Sequence, residues 1–271
     1  MSASLDGKIV IVNGGTQGLG EATCRYLAAA GAAGLVVVGR STDTGNALTS
    51  ELTAAGTPAT FVEADMFDAE TPSRIVAAAD RVFGTVHGVV NVAASTSRDN
   101  IWTATADGWD SMMAVNVRAP FFMIQAAAEL MRRDGVHGSI VNIGSVSGHG
   151  GQPFIVSYSV SKGALSVMTK NVAYSLMRHG IRVNQVNPGW MDTPSEDAVQ
   201  RRDHGATDGW LEAAEATQPT GRLIKPIEVA RVIAFYLSDD SGLATGSIID
   251  YDQSVQGAGD APKPSVGETP V

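Results

Sequence analysis

The segment Lys8-Ile9-Val10-Ile11-Val12-Asn13 is an apolar run that passes without a linker into Gly14-Gly15-Thr16-Gln17-Gly18-Leu19-Gly20. Such a run reads as a strand buried on both faces, which requires a sheet covered by helices on each side. Behind the glycines, Ala22, Tyr26, Leu27 and Ala30 recur at helical spacing, and Gly31 closes the pattern. Strand, glycine turn and helix are the setting of a phosphate cradle. Glycines let the backbone approach the anion, and the helix start offers free N–H groups and positive potential. Gly14, Thr16, Gln17, Gly18, Leu19 and Gly20 are the candidate contacts. The spacing is Gly-x-x-x-Gly-x-Gly, not Gly-x-Gly-x-x-Gly, and in isolation the same glycines would serve an ordinary tight turn.

The unit repeats along the chain. Strands are predicted over 35–39, 59–63, 88–92, 139–143, 182–187 and 247–250. Helices are predicted over 44–55, 71–83, 109–133 and 226–237, with Pro120 kinking or interrupting the third of these. A further helix carries Tyr158 to about His179, with Ala164, Leu165, Met168, Val172 and Leu176 on its apolar face. Residues 195–217 are polar and poorly periodic and read as a mobile lid. The alternation predicts an α/β fold: a Rossmann-like, doubly wound parallel sheet of about seven strands with helices on both faces. It is read as a single domain over 1–256, followed by a Gly- and Pro-rich tail, 257–271, expected to be disordered.

In such a fold ligands sit at the carboxyl ends of the strands, so the residues there are the candidates. Arg40-Ser41 ends the second strand with a cation and no carboxylate, which favours a 2′-phosphate: NADP(H) is preferred and NAD(H) is possible. A solvated surface arginine is the plain alternative. Asp65 and Met66 follow the third strand, Asn91 ends the fourth, Ser145 follows the fifth, and Pro188-Gly189 the sixth.

Tyr158 and Lys162 are four residues apart on a helix, hence on one face. An ammonium near a phenol favours the phenolate and lowers its pKa, so this tyrosine is expected to pass protons near neutral pH. The net charge of −9 argues against nucleic acid or an anionic membrane as partner. The single cysteine, Cys24, allows no intrachain disulfide and reads as a packed thiol. The start of the chain has no signal-peptide pattern and no apolar stretch is long enough to span a membrane, so a cytoplasmic location is expected.

With these residues in place, the sequence resembles the short-chain dehydrogenase/reductase family from about Leu5 to Asp252. Gly14, Gly18 and Gly20 match its cofactor loop, with Asn13 in place of the usual Thr. Asp65 matches the residue that meets the adenine amino group. Asn91 and Ala93 are retained where the family has Asn-Asn-Ala-Gly; the chain here reads Asn91-Val92-Ala93-Ala94. Pro188-Gly189 with Thr193 matches the loop that touches the nicotinamide carboxamide and phosphates. The family's Val-Asp-Gly-Gly is replaced by Tyr251-Asp252-Gln253-Ser254.

The resemblance implies a division of labour. Tyr158 exchanges the proton on the substrate oxygen. Lys162 holds the nicotinamide ribose and lowers the Tyr158 pKa, and Ser145 donates to the substrate oxygen. Asn116 keeps a helix kink and a water linking Lys162 to solvent. The alternatives are a helix-cap role for Ser145 and a buried, satisfied amide for Asn116.

The expected activity is hydride transfer between nicotinamide and a ketone or secondary alcohol, such as a polyol, sugar or cyclic substrate. The pocket wall is assigned to 95–102, 146–154 and 190–210, with His149, Gln152, Trp190 and Met191 as substrate contacts. A 3-ketoacyl carrier-protein reductase is the alternative within the family, and a non-catalytic dinucleotide-sensing protein the alternative outside it. Enoyl reductases separate Tyr and Lys more widely than Tyr158 and Lys162. Relatives are often homotetramers, so a homo-oligomer, tetramer or dimer, is expected.

Overall fold

The first strand, β1 (Ile9–Asn13), divides its side chains between two cores: Val10 and Val12 enter one, Ile11 the other, and all three are fully buried. The computed structural model describes residues 3–254. Strands β2 (Gly34–Gly39), β3 (Ala59–Glu63), β4 (Gly88–Asn91), β5 (Ser139–Ile143), β6 (Arg182–Pro188) and β7 (Ile248–Tyr251) complete one parallel sheet, ordered β3-β2-β1-β4-β5-β6-β7.

Helices α1 (Gly18–Ala29) and α2 (Thr42–Ala54), with α9 (Pro226–Leu237) from far along the chain, cover one face. Leu19, Cys24 and Leu27 of α1 share that core with Val229 and Ile233 of α9. Helices α3 (Thr71–Phe83), α5 (Ala119–Asp134) and α6 (Val156–Leu176) cover the other face through Ile75, Ile124 and Ala173, among others. Each large aliphatic side chain buried this way contributes about 1.5–3 kcal/mol. From β1 the chain winds outward to β3, then returns past β1 to β4. The crossovers on the two sides therefore diverge at β1 and β4 and open a crevice at their carboxyl ends.

The helices sharpen four expectations. Of the expected α1 stripe, Leu27 is buried and Tyr26 and Ala30 pack on the same core, while Leu19, Thr23 and Cys24 widen the buried face and Ala22 is half-buried. The α-helical pattern gives way to a π-turn just ahead of Pro120, the interruption expected there. Residues 106–134 are helical throughout, with α4 (Ala106–Met113) joined to α5 by a π-turn, Ala114–Arg118, and Pro120 lies in the first turn of α5. A wider turn just ahead of a proline accommodates its missing N–H. On α6 the expected stripe faces the core: Leu165 is buried, and Met168, Val172 and Leu176 pack half-buried against it, while Ser157, Ser159, Ser161, Lys162, Thr169 and Ala173 add buried positions beside it. Residues 195–217 are not irregular: α7 (Pro194–His204) and α8 (Trp210–Ala216) fill most of them. The expected tail over 257–271 lies outside the described residues.

Candidate active site

The glycine loop takes its shape from contacts that exclude side chains. Gly14 has φ +84°, and a Cβ there would lie 2.6 Å from the backbone N of Ala93. A Cβ on Gly20 would lie 1.8 Å from the Gly14 carbonyl, so the first turn of α1 packs directly on the loop. Gln17, the residue before α1, makes no side-chain cap, which leaves the first-turn N–H groups turned toward the cleft. Buried Asn13 Nδ2 and Asn91 Oδ1 at the neighbouring strand ends have no partner among the described residues. A glycine cradle, open helix N–H groups and unpaired polar atoms together fit a dinucleotide.

One continuous cleft runs from this cradle over the carboxyl ends of β1 to β6. Among its lining residues are Gly14, Thr16, Gln17, Gly18, Leu19, Arg40, Asp65, Met66, Ala93, Ser145, Gln152, Tyr158, Lys162, Pro188, Gly189, Trp190, Met191 and Thr193. Arg40 is exposed and, among the described residues, makes no ion pair. Asp65 accepts a hydrogen bond from Phe67 N (3.0 Å).

Ser145 follows β5, and its hydroxyl accepts from Ser147 N (3.1 Å), the turn role weighed above. It lines the same wall of the cleft as Tyr158 and Lys162. The start of α6 is fixed from outside the helix. Asp99, in the loop after β4, accepts from Ser157 N (3.0 Å) and from the Ser157 hydroxyl. An external carboxylate thus meets the first-turn N–H beside Tyr158, where the helix potential favours negative charge.

The electrostatics of Tyr158 depart from expectation. Burial pushes its phenol above the ordinary tyrosine value; the Ser145 hydroxyl and the Arg98 charge pull it back, and Glu196 pushes it up again. The cation expected to lower it is engaged elsewhere. The Lys162 Nζ lies 5.6 Å from the Tyr158 ring centre and donates instead to the Ile143 carbonyl (2.7 Å). Burial without a carboxylate brings Lys162 down to about 8. Desolvation of the phenol therefore outweighs the cation one turn away.

Five site residues stand outside the cleft lining. Gly20 is packed under the loop. Ser41 caps α2 by accepting from Thr44 N. Asn91 donates to Asn142 Oδ1 (2.9 Å). Asn116 is a satisfied amide: its Oδ1 accepts from Ser95 N (2.7 Å), and its Nδ2 reaches the Ser95 carbonyl and Ser161 Oγ (both 3.0 Å). It sits in the π-turn and clamps the loop after β4 to α6, and it makes no hydrogen bond to Lys162. His149 is paired with Asp250 (2.9 Å). That pair ends a polar chain beneath the cleft, in which Asn187 joins Asp250 (2.9 Å), Gln185 joins Asn187 (2.7 Å), and Thr169 joins Gln185 (2.9 Å) and Asn142 (2.9 Å).

Trp102, assigned to the pocket wall, is 90% exposed and points to solvent. Sequence reasoning missed Arg98, Asp99 and Glu196. The first two lie in a loop already assigned to the wall, and a charged pair just beyond a strand end was the available signal. The departure at Gln253 also has a structural use. Its amide donates to the Arg222 carbonyl (2.7 Å) and its oxygen accepts from Thr220 N (3.1 Å), tying the end of β7 to the segment before α9.

Fold and cleft define a nucleotide-dependent oxidoreductase. A family model described as enoyl-(acyl carrier protein) reductase matches residues 14–255. An NADP-dependent (R)-specific alcohol dehydrogenase from Lentilactobacillus kefiri is 31% identical over 94% of this chain and 100% of its own length. A 2,5-dichloro-2,5-cyclohexadiene-1,4-diol dehydrogenase from Sphingobium indicum is 32% identical over 93% of this chain and 97% of its own. A solved short-chain type dehydrogenase/reductase from Mycobacterium ulcerans superposes with a TM-score of 0.83 at 27% identity, covering 92% of this chain and 90% of that one. The chain belongs to the short-chain dehydrogenase/reductase family and is an oxidoreductase acting on alcohol and ketone groups with a nicotinamide cofactor.

Proposed function

We propose that the protein is an NADP(H)-preferring oxidoreductase that interconverts a ketone and a secondary alcohol on a polyol, sugar or cyclic substrate. The observation that carries this reading is the single cleft that brings the glycine loop and Arg40 together with Ser145, Tyr158 and Lys162. The Lentilactobacillus relative is named NADP-dependent, and the Sphingobium relative is named for a cyclic diol.

In this reading the cofactor is held by Gly14 to Leu19, Arg40, Asp65, Pro188, Gly189 and Thr193, with Arg40 facing a 2′-phosphate. A bound nicotinamide supplies or accepts the hydride. Tyr158, kept as a neutral phenol by burial, gives its proton to the oxygen of a ketone being reduced. Ser145 donates to the same oxygen as negative charge develops. Lys162 spends one of its three N–H donors on Ile143 and has two left for the cofactor ribose. Asn116 holds the wall by clamping Ser95 to α6.

A homo-oligomer in the cytoplasm belongs to the same proposal. Phe121 and Phe122 on α5 and Val160 and Val167 on α6 are exposed apolar side chains suited to a second copy. A 3-ketoacyl carrier-protein reductase would need a patch of free basic residues for docking; Arg133 is bound to Asp80 and Asp134, which leaves only Arg132 and Arg178 of the three candidates without an ion pair among the described residues. The test is a panel of ketones and alcohols followed by nicotinamide absorbance with each cofactor. The expected result is turnover of carbonyls or carbinols at higher kcat/KM with NADP(H). A preference for NAD(H) would contradict the cofactor assignment, and no turnover would contradict the activity.

A further inference from the structure

Resting on the carbonyl and carbinol reading above, we propose that Arg98 and Glu196 form a receptor for a neutral hydroxyl beside the reacting carbon. The substrate class is then an α-hydroxyketone or the matching vicinal diol, in preference to a plain ketone or a keto acid.

Arg98 belongs to the loop after β4 and Glu196 to the first turn of α7, and both line the cleft. Their side chains are each 20% exposed, and Arg98 Nη2 stands 4.0 Å from Glu196 Oε2. That is beyond hydrogen-bond length, so the pair is drawn together but not closed. Glu196 Oε1 is taken up by Trp190 Nε1 (2.8 Å) and Gln200 Nε2 (2.7 Å). Its Oε2 makes no hydrogen bond among the described residues. Arg98 is also unsaturated: among the described residues Nε is buried without a partner, and Nη1 reaches the Thr96 carbonyl only at 3.5 Å. An open donor and an open acceptor therefore meet at one point of the wall.

A hydroxyl both donates and accepts, so it satisfies both at once. A carboxylate would gain Arg98 but face Glu196, with Asp203 also near enough to interact with Arg98. An ammonium would face Arg98. The receptor shares the cleft with Ser145 and Tyr158, and Arg98 is followed by Asp99, whose carboxylate holds Ser157, the residue before Tyr158. Glu196 is held in place as well. Trp190, which donates to it, stacks on Trp210 with ring centres 6.4 Å apart. Gln152 Oε1, buried in the same cleft without a partner, offers a further acceptor to a polyhydroxylated substrate. A site built to bond a hydroxyl rejects an analogue lacking it, because its own polar groups are then left unpaired.

The probes are hydroxyacetone, butanone (a methyl in place of the hydroxyl) and pyruvate (a carboxylate in place of the hydroxymethyl group). For the wild-type enzyme with NADPH, kcat/KM for hydroxyacetone is expected to exceed that for each of the others at least about tenfold, equivalent to about 1.4 kcal/mol. Arg98→Met is expected to bring the hydroxyacetone-to-butanone ratio to within about twofold, and Glu196→Gln to raise pyruvate relative to hydroxyacetone. Each ratio is taken within one variant, so a loss of folded enzyme cancels. Equal use of hydroxyacetone and butanone by the wild type, or an unchanged ratio in Arg98→Met, overturns the proposal and leaves the carbonyl reading standing. Binding of hydroxyacetone and butanone to the NADP⁺-loaded enzyme, read by tryptophan fluorescence, ranks them without turnover. Equal affinities there overturn the proposal even if no carbonyl is reduced, which is the separate failure of the activity itself.

Discussion

Over β1 to β3 the cleft is walled mainly by backbone: a glycine loop, a helix start and the ends of adjacent strands. Over β4 to β6 it is walled by side chains tied across elements, with Asn116 to Ser95 and Ser161, Asp99 to Ser157, and Trp190 to Glu196. The half proposed to hold the adenosine and phosphates is thus specified by local chain geometry and the half proposed to hold the reacting groups by long-range pairings. Damage to one should leave the other largely intact.

The largest expected effect separates the halves. Tyr158→Phe is expected to lower kcat about a thousandfold, within the range for loss of general acid–base catalysis. NADPH affinity, read by fluorescence titration, should stay within about threefold. Loss of cofactor binding in this variant would break the comparison.

Next in size is a pH effect on stability from Lys162. Its folded value is about 8 against an ordinary 10.5. Below pH 8 it is protonated in both the folded and the unfolded chain, and the full burial cost applies. Between about pH 8 and 10.5 the unfolded chain binds more protons, so stability rises with pH, by about 3 kcal/mol from this group. Urea unfolding of the cofactor-free protein should show this rise in the wild type and lack it in Lys162→Met. Identical pH dependence in the two would mean that Lys162 is not held dry.

A smaller effect falls on the cofactor half. Arg40→Asp is expected to lower the ratio of kcat/KM with NADPH to that with NADH by about 10- to 100-fold, the value of one charge-assisted contact. A parallel loss with both cofactors would move Arg40 out of phosphate recognition. The smallest is Asp99→Ala, expected to cost about 1 kcal/mol by uncapping α6 and to lower kcat more than it weakens NADPH binding. An equal loss in both would show that the α6 start is not confined to the reacting half.

The same contrast explains what the sequence could reveal. The glycine loop, Arg40 and the strand ends follow from local pattern, and β3, β5, α3 and α9 have the bounds that pattern predicts. Tyr158 and Lys162 share a helix, so their meeting was legible, but their protonation was not, because it depends on how deeply the fold buries them. The partners of His149 and Asn116 are distant in sequence: Asp250 lies 101 positions from His149 and Ser161 lies 45 from Asn116. No periodicity reports such pairs. Helix α7 escaped notice because it buries only Val199, so it has no apolar stripe to detect. Its cap, Thr193-Pro194, and its closing Gly205 were the signal that remained.

The central claim is that one cleft brings a nicotinamide and the Tyr158 proton to the same carbonyl. It is tested most directly by incubating NADPH deuterated at the transferable C4 position with a ketone and weighing the alcohol formed. The account expects one deuterium on the carbinol carbon with the wild type, and formation of that product about a thousandfold slower with Tyr158→Phe. Product carrying no deuterium, or labelled product forming at the wild-type rate in Tyr158→Phe, would contradict it.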